Sequence, residues 1–372
     1  MVRSPISANM KAPTDAVITI YTPEQIKFRQ DAVASSAKNE GYALAKNTYK
    51  SYDWEWGRFV LWCSLAGEQA LPAAPETVQM YIASVADKKW EARSASSKAK
   101  KDGNEKDVKF AEGRKPSGLT VALSAIGWKH VAAGYEKPTT AQIVVEEMAA
   151  LRRRVGKPPN KKSPLTLELL RDMIAELRAE MSDAPTAAKR LRAARDRAIL
   201  LIGFAGAFRR SEVAALRHKD VTFVDKGVDI FLRKSKTDQE GVGRSVPIPK
   251  GVNAVTCPVI ALREWMAAFD DKGGPIFVEI DRIGRLCQRP GDEGLSGHAV
   301  AKMVKDRTGL NDEEMARFSG HSMRAGIITA AAEAGRDIFE MMETSRHKDA
   351  DTLLEYVRSA KRFERAASRG LL

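Results

Sequence analysis

The sequence is short of cysteine, of histidine and of uninterrupted apolar stretches. Its three cysteines, Cys63, Cys257 and Cys287, are odd in number and far apart. They support neither a disulfide framework nor a CxxC metal site, and read as reduced packing residues. The five histidines, His130, His218, His298, His321 and His347, form no HxxxH or HExxH arrangement, which argues against a zinc enzyme. No apolar run approaches the roughly 20 residues of a membrane-spanning helix. The opening MVRSPISANMKAPTD also lacks the apolar core of a signal peptide. A cytoplasmic protein with no membrane partner is the expectation.

Acidic residues are in the minority, 48 against 61 Lys and Arg, for a formal charge of +13. Such an excess favours a polyanionic partner, with nucleic acid ahead of an anionic membrane surface. At 372 residues the chain is about twice a typical domain, so two domains are expected. A 44% hydrophobic and 29% charged composition is that of a globular protein.

Residues 1–40 mix Pro, Ser, Ala and charge and read as an N-terminal arm. From 41 to 155 the periodicity is helical. In NTYKSYDWEWGRFVLWC, residues Tyr49, Tyr52, Trp56, Phe59, Val60 and Cys63 share one face. That stripe is either helix core or a platform for stacked bases. Further helices follow in APETVQMYIASVA, with Pro75 near its start, and in LTVALSAIGWKHVAAG, closed by Gly134. The polar, Lys-rich stretch 87–118 between them reads as a loop, solvated or tracking a phosphate backbone. KPPNKKSPLT, at 156–165, is a stiff basic linker. The first domain is therefore expected to be all-helical.

The second domain, 166–372, opens with two helical runs, LTLELLRDMIAELRAEM and RAARDRAILLIGFAGAF. Val228, Ile230 and Leu232 then alternate, KTDQEG supplies a turn, and Val246 and Ile248 alternate on the return, which predicts a small antiparallel sheet. Helical periodicity resumes to the end.

Four segments of this domain carry residues suited to a phosphodiester. GAFRRSEVAAL places Arg209 at the end of the apolar helix, with Glu212 three residues on to orient its guanidinium. RKSKTDQEG puts Lys234 and Lys236 on one face of a strand near a hairpin tip, where a lysine can protonate a departing alkoxide. SGHSMRAG sets His321 and Arg324 one helical turn apart, and Ala325 and Gly326 leave room for another element to pack closely. RHKDADTLLEYVRS places His347 nine residues before Tyr356. Leu353, Tyr356 and Val357 fall at i, i+3 and i+4, so spacing alone makes Tyr356 a core residue. A tyrosine has an ordinary pKa near 10 and needs a base or a strongly cationic site to act as a nucleophile at neutral pH.

The order Arg209, Lys236, His321, Arg324, His347, Tyr356 resembles that of the tyrosine recombinases, the phage integrase and Cre-like family. GAFRRSEVAALRHKDV is similar to that family's first arginine box, and GHSMRAG with RHKDADTLLEYVRSA to its second. The resemblance covers about 165–360, and the N-terminal helices look like the family's core-binding domain. It implies a mainly α fold, a helical core-binding domain and an α-rich catalytic domain with a small antiparallel sheet, closing on DNA as a C-shaped clamp. It implies a site-specific recombinase that cuts and rejoins duplex DNA through a 3′-phosphotyrosyl intermediate, without metal or other cofactor.

In that chemistry Tyr356 is the nucleophile. Arg209, Arg324 and His347 stabilise the transition state, His321 assists proton removal and Lys236 protonates the leaving oxygen. Lys161, Lys162, Lys234 and Arg210 are expected on the DNA backbone. A homotetramer on two recombination sites, a monomer or dimer in its absence, and a nucleoid location follow. The tail SAKRFERAASRGLL keeps Phe363, Ala366 and Ala367 at helical spacing, either to pack into a neighbouring protomer or to fold onto its own domain. Two further readings fit the same residues: a type IB topoisomerase, and a catalytically silent DNA-binding protein of this fold.

Overall fold

Proline and glycine punctuation sets the helices of the N-terminal half. In the computed structural model, which describes residues 27, 46–87, 91–92, 108–109, 113–155, 162–233, 243–268, 273–287, 294–347, 349–360 and 368–369, α1 spans Lys46–Ala66, α2 Pro75–Asp87, α3 Pro116–Ala132 and α4 Gln142–Val155. Pro116 sits at the first turn of α3, where its missing N–H costs nothing. Gly134 closes that helix at φ 82°, letting Tyr135 N–H donate back to the His130 carbonyl. The chain divides between residues 159 and 160 into two compact units.

In the first unit α1 packs on α3 and α2 on α4. The aromatic stripe of α1 packs within the unit, buried at Phe59 and Cys63, half-buried at Tyr52 and Trp56, and exposed at Tyr49. Tyr49 and Tyr52 stand against Trp128, and Trp56 stands edge-on to His130. Val60, at the margin of the stripe, is exposed. His130 is itself structural: its Nε2 accepts from Ala73 N–H, leaving Nδ1 to donate to the Ile126 carbonyl. Within the Lys-rich stretch, β1 (Glu91–Ala92) pairs antiparallel with β2 (Val108–Lys109). A ladder of two residues a side carries no alternation, so an all-helical expectation overlooks it.

The second unit begins with α5 (Leu167–Asp183), whose N-cap Thr166 accepts from Leu169 N–H, and α6 (Ala187–Ala205), capped likewise by Thr186. A five-residue helix, α7 (Arg210–Ala214), leads to an antiparallel sheet of β3 (Val221–Val224), β4 (Gly227–Leu232) and β5 (Arg244–Pro249), in that spatial order. Val228 pairs with Ile248 and Ile230 with Val246, and all four face the core as their alternation requires. After α8 (Pro258–Met266) a second, minimal pair follows, β6 (Glu279–Ile280) with β7 (Leu286–Cys287). The remaining helices are α9 (Gly297–Asp306), α10 (Asp312–Met315), α11 (Ser322–Glu333), α12 (Ile338–Ser345) and α13 (Ala350–Ala360).

Helices α5, α6, α8 and α9 and the three-stranded sheet share one core. A smaller apolar cluster, Ile328, Ala332, Met341 and Leu353, joins α11, α12 and α13. All three cysteines are free. Among the described residues no helix is long and apolar enough to cross a membrane. The arm but for residue 27, the linker residues 156–161 and the tail residues Phe363, Ala366 and Ala367 lie outside the described residues.

Candidate active site

The apolar pattern of α6 runs on through Phe208, but the helix stops at Ala205. The reason is geometric. Ala207 takes a left-handed φ of 48°, Phe208 N–H donates to the Gly203 carbonyl, and the chain reverses. Arg209 is therefore not the end of a helix interior, as its sequence context predicts, but the extended N-cap of α7. Glu212, 4% exposed, sits one turn on and holds it twice: its carboxylate accepts from Arg209 N–H at 2.9 Å and from Arg209 Nη1 at 2.6 Å. The guanidinium's orientation is fixed by a group with almost no contact with water.

Helix α11 supplies the next pair. His321 is its N-cap and is exposed, whereas Arg324, one turn later, is 5% exposed. Arg324 Nη1 donates to the Ala207 carbonyl at 2.8 Å. Burial first, then the neighbouring Arg209 and Arg346, lowers its pKa to about 9. At neutral pH it remains a cation, and one poorly compensated. Gly326 lets α11 reach this position, because a Cβ there would meet the Leu165 carbonyl oxygen at 2.0 Å. The close approach expected of Ala325 and Gly326 is thus made against the segment before α5.

The last segment turns from α12 into α13 through Arg346, in left-handed conformation at φ 58° and ψ 36°. His347 follows, with Nδ1 2.7 Å from Ser345 Oγ and Nε2 3.4 Å from Arg324 Nη2. A guanidinium only donates, so Nε2 is the acceptor and the ring proton is on Nδ1, shared with Ser345. Burial, then Arg324, Arg209 and Arg346, brings the His347 pKa down to about 4. Tyr356, half-buried on α13, leans on the Leu353 cluster with part of its ring. Core packing and access to the site are both true of it.

Arg209, His321, Arg324, His347 and Tyr356 line one cleft of about 250 Å³. Arg209 and Arg346 both pair with the carboxylate of Glu212, which Arg324 feels only through space. Such a site can hold a tetrahedral oxyanion beside a phenol. A larger cleft of about 620 Å³ adjoins it through His321, Ala325 and Tyr356. Lys162 lines that one, its Nζ donating to the Ala316 carbonyl. Arg210 is exposed, its side chain lying over Gly320. Lys161, Lys234 and Lys236 lie outside the described residues. No three His, Cys, Asp or Glu among the described residues come together as a metal site.

Sequence reasoning passed over Ser345 and Arg346. Ser345 Oγ is the partner of His347 Nδ1, and Arg346 bridges to Glu212. Adjacency to His347 was the only signal available for either.

Residues 174–362 match the model of the phage integrase family. An integrase/recombinase XerD homolog of Selenomonas ruminantium is 33% identical over 323 residues, 86% of this chain and 84% of the relative. The Cre recombinase of Escherichia phage P1 is 22% identical over 331 residues, 85% of each. Among solved structures, the Tn1549 transposon integrase in complex with transposon right end DNA aligns with a TM-score of 0.49 at 14% identity, over 91% of this chain and 98% of the other. The chain belongs to the phage integrase family, the tyrosine recombinases that cleave and rejoin DNA.

Proposed function

We propose that this site-specific recombinase cuts DNA with Tyr356. The phenolic oxygen attacks the scissile phosphorus, the bond to the 5′-oxygen breaks, and a 3′-phosphotyrosyl ester holds the strand. The ester keeps the bond energy, so a 5′-hydroxyl of the partner strand can reverse the step without ATP. What carries this reading is the convergence of Tyr356 with Arg209, Arg324, His321 and His347 on one cleft.

Attack raises the negative charge on the phosphoryl oxygens, and fixed cations that meet that charge lower the barrier. Arg209 and Arg324 take this role, supported by the excess of guanidiniums over the Glu212 carboxylate around the cleft. His347 donates a further hydrogen bond to the phosphate. It does so once Ser345 Oγ turns its hydroxyl hydrogen toward Nδ1 and the ring proton moves to Nε2. His321, exposed at the mouth, takes the phenol proton, and Lys236 returns one to the leaving oxygen.

In this reading residues 41–155 bind the DNA core site, 156–165 connect, 166–372 carry the chemistry, and 1–40 form an arm. Arg210, Lys161, Lys162 and Lys234 contact the phosphate backbone. Four copies assemble on two sites, at the nucleoid in the cytoplasm. The test uses a nicked duplex of the sequence that the full-length chain enriches from a random library. Wild type forms a covalent protein–DNA adduct on it, and Tyr356→Phe binds it equally well without forming one. An adduct in the Phe variant would sink the assignment.

A further inference from the structure

Arg346 occupies a backbone conformation that suits glycine. For an L-residue the left-handed region is sterically disfavoured, yet the chain places there a long cationic side chain that is only 6% exposed. Something in the fold must repay both the strain and the burial.

The repayment is in its donors. Nη1 gives to the carbonyls of Gly206 at 2.8 Å and Thr344 at 3.0 Å. Nη2 gives to the Ala207 carbonyl and to Glu212 Oε2, both at 3.0 Å. The guanidinium carbon lies 5.0 Å from the centre of the Phe208 ring. Gly206, Ala207 and Phe208 make up the reversal between α6 and α7, including the site's other left-handed non-glycine residue, Ala207. One planar fork thus spans the turn before Arg209, the carboxylate that holds Arg209, and the loop that carries His347.

We propose that Arg346 is a positioning residue for strand cleavage: it locks the Arg209 turn and the His347 loop into one register and leaves the phosphate to its neighbours. Both of its Nη atoms are engaged within the protein, and its Nε, which has no partner among the described residues, is buried rather than open to the cleft. The Ala207 carbonyl it holds also accepts from Arg324, so the fork orders both cleft arginines. Its charge acts as well. His347 faces Arg324 from α11, Arg209 from the α6–α7 turn, Arg346 from its own loop and Tyr356 from α13, with Glu212 behind Arg346.

The inference rests on the proposed phosphotyrosyl chemistry, and the test separates the two. Arg346→Gly removes the fork and relieves the backbone strain; Arg346→Lys keeps the charge without the fork. Adduct formation is followed on the nicked duplex in single turnover. The His347 ring is followed by NMR titration of the DNA-free full-length chain, assigned by its loss in His347→Gln. Both variants are expected to form adduct about 10–100-fold more slowly, the range for groups that orient a reacting ligand from outside it. In Arg346→Gly the His347 midpoint rises by about half a pH unit or less, because Arg346 is the least of the three facing cations, while in Arg346→Lys it stays low. Loss of fold alone would release the ring in both variants alike. A wild-type rate in either variant, or a His347 midpoint unmoved in Arg346→Gly, overturns the role. An adduct persisting in Tyr356→Phe would instead overturn the chemistry beneath it, and this inference with it.

Discussion

His347 makes the stability of this recombinase depend on pH in a window that carboxylates alone do not set. Its ring takes up a proton near pH 6.5 when the chain is unfolded, but only near pH 4 when burial and three guanidiniums surround it. Between those values the unfolded state binds more protons. Folding stability therefore falls as pH drops from 6.5, and this contribution is fully lost near pH 4. At about 1.4 kcal/mol per tenfold in proton affinity, the whole effect is at most roughly 3 kcal/mol. Part of the ring stays in water, and screening reduces this to about 1–2 kcal/mol.

The measurement is urea unfolding of the full-length chain and of His347→Gln in parallel, at intervals from pH 7.5 to 4. Subtracting the two curves removes the carboxylates common to both. The difference should be flat above pH 6.5 and then drift against wild type by about 1–2 kcal/mol. A flat difference throughout would show that the arginines do not bear on His347, and the account of a carboxylate-poor cleft would fail.

Two further outcomes follow from the same geometry. Glu212→Gln keeps the shape but halves the acceptor capacity under Arg209 and Arg346; a stability loss of about 3 kcal/mol is expected from breaking a buried pair, with DNA affinity retained and adduct formation slowed. Unchanged urea midpoints would mean that the carboxylate is solvated. Gly326→Ala puts a methyl onto the Leu165 carbonyl oxygen and the edge of Phe204, so α11 must shift. Overpacking of this kind costs about 1–3 kcal/mol, and the shift should slow cleavage because Arg324 and His321 ride on that helix; a wild-type rate and midpoint would refute the contact.

The parts of the fold that announce themselves in the sequence are those with repeated pattern. The aromatic stripe of α1, the alternation of β4 and β5, and the glycine of α3 each repeat or punctuate over enough residues to be read. Strands β1, β2, β6 and β7 have two residues each, too few for alternation, and come from the closing of loops. The end of α6 was illegible for another reason. Its apolar residues continue past the break, and only the φ of Ala207 stops the helix.

The cleft residues were legible because each is a chemically distinctive type in a familiar order. Arg346 was not. Its partners Gly206, Ala207 and Glu212 lie more than 130 residues away in the chain, and an arginine before a histidine signals nothing about a left-handed backbone.

Among the described side chains of α13, Leu353 is the one that is fully buried, with Leu354, Tyr356 and Val357 half-buried. Extracting one leucine from its cluster costs about 1.5–3 kcal/mol, well below the 5–15 kcal/mol that holds a whole domain together. Among the described side chains, the helix bearing the hydroxyl therefore rests on a smaller apolar anchor than the arginine framework does. In that sense the scaffold and the blade of this enzyme rest on separate apolar clusters, one large and one small.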